Sequence, residues 1–253
     1  ADCTNLAGTS ISATISTDND FNSEAKAQWR VLSIDNVAGT VDLMSVEPTS
    51  QKVTLSGIDG YANAEIILNN VGEVFGHGKG ATKGRCINVE DVEQYSVFDK
   101  TTHVDNGYKY GDSKSYTLKT PGNSSVKLVG SEVKKLTGSE DNPAIVTHTD
   151  YRYNANNYFS NKTMLNLIFR KESDIDMKKV TYWLASRMVH LNNTQCTFRM
   201  QLIGNDMLGQ YGLYLSASGI ENSTSYSICP VVELQTKLET TGQDSNGVWQ
   251  LDV

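Results

Sequence analysis

The chain has 253 residues, 38% hydrophobic and 20% charged, with Gly, Ser, Thr and Asn common and only four Pro. That is the composition of a folded protein, and the length suits one large domain or two small ones. With 22 basic against 29 acidic residues the net charge is -7. No basic cluster runs longer than Lys134-Lys135 or Lys178-Lys179, so the concentrated positive field that displaces counterions from phosphates is missing and nucleic acid is not an expected partner. No run approaches the ~20 apolar residues that span a bilayer, and Ala1-Asp2-Cys3-Thr4 lacks the basic-then-apolar pattern of a secretory leader.

Residues 1–20 are polar, but Ile11-Ser12-Ala13-Thr14-Ile15 alternates at period two and reads as an edge strand in an N-terminal extension. Trp29–Asp35 and Thr40–Val46 are β-favouring runs joined by Asn36-Val37-Ala38-Gly39, a hairpin signal. From Tyr61 the period changes: Ala64, Ile67, Leu68, Val71 and Val74-Phe75 recur at helical spacing until Gly76 and Gly78. Asn88 precedes a short second helix over 88–93, with Glu90 and Asp91 in the first turn, where the helix dipole favours acids. The glycines at 72, 76, 78, 80 and 84 follow a helix instead of linking a strand to one, so they cannot aim a helix N-terminus at phosphate; a helix stop and flexible connection is expected.

Periodicity is lost over a loop-rich insertion at about residues 99–178, with strand candidates at Ser115–Leu118 and Ser125–Val129. Strands return at Val180–Ser186, Cys196–Leu202, Gly212–Ser216 and Cys229–Leu234, the last apolar enough to be central. The expected class is α+β. A single domain spans 21–237, closed by first and last strands lying side by side, and 238–253 form a tail.

Candidate chemistry is sparse. His77, His103, His148 and His190 show no pair spaced for one metal. Glu140-Asp141-Asn142-Pro143 could hold calcium through oxygens but reads better as a turn. No Gly-x-Ser-x-Gly or reactive-cysteine signature is present, so no catalytic residue, cofactor or metal is expected and an enzyme is not. The sequons at Asn123, Asn161, Asn192 and Asn222 carry little weight in a chain so rich in Asn, Ser and Thr. The cysteines at 3, 86, 196 and 229 fit either two disulfides or four buried thiols.

Several stretches resemble bacterial and prophage-borne surface proteins, many of them pilin-like, that end in a C-type-lectin-like domain. They are Trp29-Arg30-Val31-Leu32-Ser33, Pro48-Thr49-Ser50 before Leu55-Ser56-Gly57, Gly60–Ala64, Arg85–Val92, Tyr182-Trp183-Leu184-Ala185-Ser186-Arg187 and Pro230-Val231-Val232-Glu233-Leu234. They cover roughly residues 29–95 and 180–235. The resemblance implies a C-type-lectin-like fold with an N-terminal β-hairpin, two helices, the insertion and a C-terminal set of antiparallel strands.

It further implies a non-enzymatic adhesion or recognition protein, extracellular or displayed on a cell surface or virion, with a protein or glycan receptor. In some members a diversity-generating retroelement rewrites the surface after the Trp-Leu-Ala-Ser-Arg strand. Carried over, the ligand-facing candidates are Met188, His190, Asn192, Asn193, Gln195, Thr197, Arg199, Gln201, Asn205, Asp206, Gln210, Tyr211 and Tyr214. The same stretch alternates polar with apolar residues, which puts one face in a core and a polar face outward. Tyr182 and Trp183 themselves read as core.

The chain departs from the family at Cys229, where Arg is common, and at Cys86, where Ser is common. These departures point to disulfides Cys196–Cys229 and Cys3–Cys86. The runner-up reading is a structural subunit of a pilus or virion that self-assembles through the edge at residues 10–16.

Overall fold

In the β-hairpin that opens the folded core, the Asp35 carboxylate accepts from Val37 N at 2.8 Å and Ala38 N at 2.9 Å, and Gly39 closes the turn at φ 67°. An aspartate that satisfies its own turn and a glycine free to take positive φ are what this reversal requires. The computed structural model describes residues 28–76, 81–95, 162–169, 180–191, 196–204, 207–215 and 219–235, with short strands at 10–12, between 104 and 148, at 240–243 and at 249–251.

The N-terminal half comprises β1 (Ser10–Ser12), β2 (Gln28–Asp35), β3 (Thr40–Ser45), β4 (Val53–Ser56), α1 (Gly57–Glu73) with a 3-10 turn at Val74–Gly76, β5 (Ala81–Cys86) and α2 (Val89–Glu93). The insertion holds β6 (Val104–Asp105), β7 (Tyr108–Lys109), β8 (Asp112–Thr117), β9 (Val126–Val129), β10 (Glu132–Lys135), β11 (Pro143–His148) and α3 (Lys162–Phe169). The C-terminal part contains β12 (Tyr182–Leu191), β13 (Cys196–Gly204), β14 (Met207–Leu215), β15 (Ile220–Glu221), β16 (Ser223–Ile228), β17 (Pro230–Gln235), β18 (Thr240–Gln243) and β19 (Trp249–Leu251). The class is α+β. Among the described residues no helix is long and apolar enough to cross a membrane.

Two main sheets result, one ordered β18-β19-β1-β2-β3-β17-β5 and the other β15-β14-β13-β12-β16-β4. The run Pro230–Leu234 forms β17, flanked on both sides by β3 and β5. Its neighbours in sequence serve different cores: Val231 joins the large cluster with Leu55, Tyr61, Leu68, Trp183 and Phe198, while Val232 joins a smaller one with Trp29, Leu43 and Phe75. A strand buried on both faces reads as a continuous apolar run instead of an alternating one.

Two expectations about the ends change. β1 lies between β2 and β19, so it is not an edge strand; β18 takes that edge. β18 and β19, within the stretch expected to be a tail, extend the same sheet. The side-by-side pair is β1 with β19, and β17 lies elsewhere in the sheet.

Helix α1 starts at Gly57, four residues before the apolar period becomes readable, with Gly57 at φ 57° and its N–H donating to Asn222 O at 2.9 Å. At its other end the glycines act by close approach. A Cβ on Gly72 would lie 2.2 Å from Arg85 C, one on Gly84 2.4 Å from Gly72 O, and one on Gly76 2.3 Å from Gly84 N. The α1 and β5 backbones are therefore in contact at these glycines, where the helix stops, while Gly78 and Gly80 lie outside the described residues.

Beyond β5, Asn88 caps α2 in a reciprocal capping box: its side chain accepts from Asp91 N at 3.0 Å and its N–H donates to the Asp91 carboxylate at 2.8 Å. The same carboxylate takes a two-pronged contact from Arg85, at 2.6 and 2.8 Å, and Arg85 also reaches Asp42 at 2.8 Å. Burial works against the Arg85 charge, yet the Asp91 and Asp42 carboxylates hold its guanidinium above its ordinary value. Strands β3 and β5 and helix α2 are thus tied at one point.

Candidate functional site

Strand β12 carries the segment Tyr182–Arg187, and nearly every residue of it fastens a different element. Tyr182 OH donates to Ile168 O of α3 at 2.6 Å, and Trp183 Nε1 donates to Val53 O of β4 at 3.0 Å. Ala185 N donates to Ile87 O at 2.9 Å, and Ser186 Oγ accepts from Val89 N at the start of α2, also at 2.9 Å. Arg187 donates to Ala62 O at 3.1 Å, lies 3.3 Å from the Glu65 carboxylate and covers the Tyr61 ring at 5.5 Å. The ladder with β13 shifts register between Trp183 and Arg187, a bulge that lets consecutive side chains from Tyr182 to Ser186 all be buried. This segment is scaffold.

The strands it supports define two faces, because residues directly opposite in a ladder share a side. Tyr182 pairs Ile203, which pairs Leu208; Gln201 pairs Gln210; Met188 pairs Arg199, which pairs Gly212; and His190 pairs Thr197. These residues lie on one face. Parallel pairing of Tyr182 with Ser227 continues it through Ser225 and Ser223 on β16 to Thr54 and Ser56 on β4, where Thr54 and Ser225 hydroxyls are 2.6 Å apart. The opposite face carries Trp183, Phe198, Met200, Leu202, Tyr211 and Tyr214, and meets α1 where Tyr61 stacks edge-on with Phe198 at 5.2 Å.

Register therefore gathers Met188, Thr197, Arg199, Gln201 and Gln210 on one side of the sheet. Accessibility divides them: Met188 and Gln201 are 2% exposed and Thr197 4%, so these three are not open to solvent. Helix α3 packs against β13, and Met164, Leu167, Ile168 and Phe169 belong to the same core as Ile203 and Leu208. A period-two pattern reports that a strand has two faces. It does not report that an insertion covers the second.

Arg199 and Gln210 remain partly exposed, joined by a 3.0 Å hydrogen bond from Arg199 Nη1 to Gln210 Oε1. Tyr214 is 4% exposed and stacks on Phe198 at 5.9 Å, so it belongs to the core. Tyr211 lies on the core side too and is half-buried, and Trp183 lies 4.8 Å from Tyr226 and 6.3 Å from Tyr211 between ring centres. Asn192, Asn193, Gln195, Asn205 and Asp206 lie outside the described residues, as does the side chain of His190. The hydroxyls of Thr54, Ser56, Ser223 and Ser225 escape the sequence reading, although the period Ser223-x-Ser225-x-Ser227 carries the signal.

The cysteines differ from the pairing implied by resemblance. Cys86 and Cys229 are buried and stand outside any disulfide. Cys86 Sγ lies 3.6 Å from Trp183 O, and Cys229 Sγ lies 3.5 Å from Ser45 Oγ, so each is turned toward a different strand. Burial pushes the Cys86 thiol far up, which keeps it protonated. Neither Cys3–Cys86 nor Cys196–Cys229 forms: Cys229 sits between β16 and β17 beside β3, while Cys196 opens β13 opposite Leu191. Cys3 lies outside the described residues, as do His77, His103 and Glu140-Asp141-Asn142. Among the described residues no group of three or more His, Cys, Asp or Glu is placed to hold a metal ion.

Scans of this chain against protein-family models, curated proteins and solved structures each return no match.

Proposed function

We propose that this chain is a non-enzymatic recognition module of C-type-lectin-like fold, displayed outside a cell or on a virus particle, that binds a protein or glycan receptor. The reading is carried by one observation, the register that sets Arg199 and Gln210 together on the β13–β14 face away from α1. An arginine held by an amide offers directional donors on a rigid strand, and polar contacts on a rigid element cost little ordering entropy on binding. Residues 190–195 and 205–206 flank this face in sequence and complete the proposed surface, whereas Met188, Thr197, Gln201 and Tyr214 support it from within. The Tyr182–Arg187 segment fixes the sheet against α1, α2, α3 and β4, so surface residues are free to differ without disturbing the frame.

The test is binding of the labelled protein to immobilised glycans and to intact cells, compared with a Arg199→Ala, Gln210→Ala double variant of unchanged stability. Loss of central contacts on this scale lowers affinity by about tenfold or more. Unchanged binding by the double variant would remove the face from consideration.

A further inference from the structure

We propose that β1 and β19 form a mechanical clamp, in which tension between the chain before Ser10 and the chain after Leu251 is borne as shear between two inner strands of the seven-stranded sheet. The two strands lie side by side and parallel, with Ile11 opposite Trp249 and Ser12 opposite Gln250. Tension that enters at Ser10 and leaves at Leu251 pulls them in opposite senses along their length. Every hydrogen bond between them is then loaded at once, instead of one after another.

Each strand is also held on its other side. β1 pairs antiparallel with β2 through Ser10–Arg30, Ile11–Trp29 and Ser12–Gln28, and β2 is anchored by Trp29, which is fully buried. β19 pairs antiparallel with β18 through Thr240–Leu251, Gly242–Gln250 and Gln243–Trp249. To withdraw β1, two ladders must slide together. Neither the apolar periods nor the charge pattern dictates this arrangement; it follows from placing the first described strand next to the last.

Single-molecule force spectroscopy on the full chain tests it by comparing two pulling geometries. In the first, handles are fused before residue 1 and after residue 253. In the second, one handle is before residue 1 and the other on an azide-bearing amino acid at position 37, where Val37 is 99% exposed at the tip of the β2–β3 hairpin. Position 37 and Ser10 lie toward the same end of the β1–β2 ladder, so this second geometry peels β1 away bond by bond. Forced unfolding reports the barrier crossed along the pulled coordinate. The expected result is a several-fold higher peak force end to end than in the peeling geometry. Equal or lower force end to end overturns the proposal.

Ile11→Pro, which deletes a backbone donor from the clamped strand, is expected to bring the end-to-end force down toward the peeling value. An unchanged end-to-end force in that variant also overturns it. The comparison of geometries on the unaltered chain stands alone if the variant does not fold.

Discussion

Replacing Gly72 with alanine inserts one methyl group where α1 crosses β5, and the outcome follows from two opposed quantities. Alanine is the better helix former by about 0.8–1.0 kcal/mol in an exposed helix interior. Against that, the new Cβ would lie 2.2 Å from Arg85 C and 2.4 Å from both Arg85 O and Cys86 N. These are backbone atoms of a strand that is hydrogen-bonded to β17 on its other side, so no side chain can rotate out of the way. Ordinary contact begins at 3.4 Å, which requires α1 and β5 to separate by about 1 Å across a close-packed interface.

Overpacking of a core costs about 1–3 kcal/mol when flexible side chains yield, and more when they cannot. The expected net effect of Gly72→Ala is therefore a loss of about 2 kcal/mol or more after the helix-propensity gain is set against it. Urea denaturation followed by circular dichroism measures this, with a lowered midpoint at unchanged slope. Gly60→Ala, in the same helix, is the control: its Cβ would meet Leu55 C at 3.1 Å and Cα at 3.4 Å, so a change within about 1 kcal/mol is expected as propensity and mild crowding offset each other. If Gly72→Ala is as stable as the parent chain, the backbone contact between α1 and β5 is wrong.

Arg187→Ala removes the tie from β12 to Ala62 O and Glu65; a loss of about 1.5–3 kcal/mol is expected in the same denaturation assay, and a neutral result would show that the segment is not fastened to α1. The Glu233 carboxylate is held below its ordinary value first by the Thr82 hydroxyl at 2.6 Å and then by Lys83. A depressed acid stabilises the fold above its unfolded value and loses that contribution as pH falls through the folded one. Thr82→Val should move the Glu233 titration upward by carboxyl NMR, and no movement would contradict the assignment of cause. Cys86 and Cys229 should resist thiol reagents in the native protein and react fully in denaturant without reductant; failure to react in denaturant would restore a disulfide.

The elements legible in the sequence are those whose signals are local. Asn88 followed by acids announced α2, and the capping box with Asp91 is a contact within one turn. The β2–β3 hairpin was likewise readable, because Asp35 and Gly39 build the reversal from adjacent residues. The start of α1 at Gly57 was not, since Ser56 makes no side-chain cap and the turn is held from far along the chain, by the Asn222 carbonyl that accepts from Gly57 N. Strand β16 went unread although Ser223, Ser225 and Ser227 alternate along it, because small hydroxyl side chains mark an inner strand only once β4 and β12 are seen beside it.

For the candidate face, alternation placed Thr197, Arg199 and Gln201 on one side of β13, and the register agrees. The burial of Thr197 and Gln201 depends on tertiary packing, which the alternation does not encode. Cysteine spacing fixed no pairing because the direction of each thiol depends on which strand lies beside it: Ser45 for Cys229, Trp183 for Cys86.

The proposed recognition surface is tested most directly by a photocrosslinking amino acid placed at Gln210, compared with one at Asn70 on the exposed side of α1. With a cell type to which the parent protein binds, irradiation should attach a receptor covalently at position 210 and not at 70. Crosslinking at 70 with none at 210 would place the receptor on the helix side and contradict a binding face on β13 and β14.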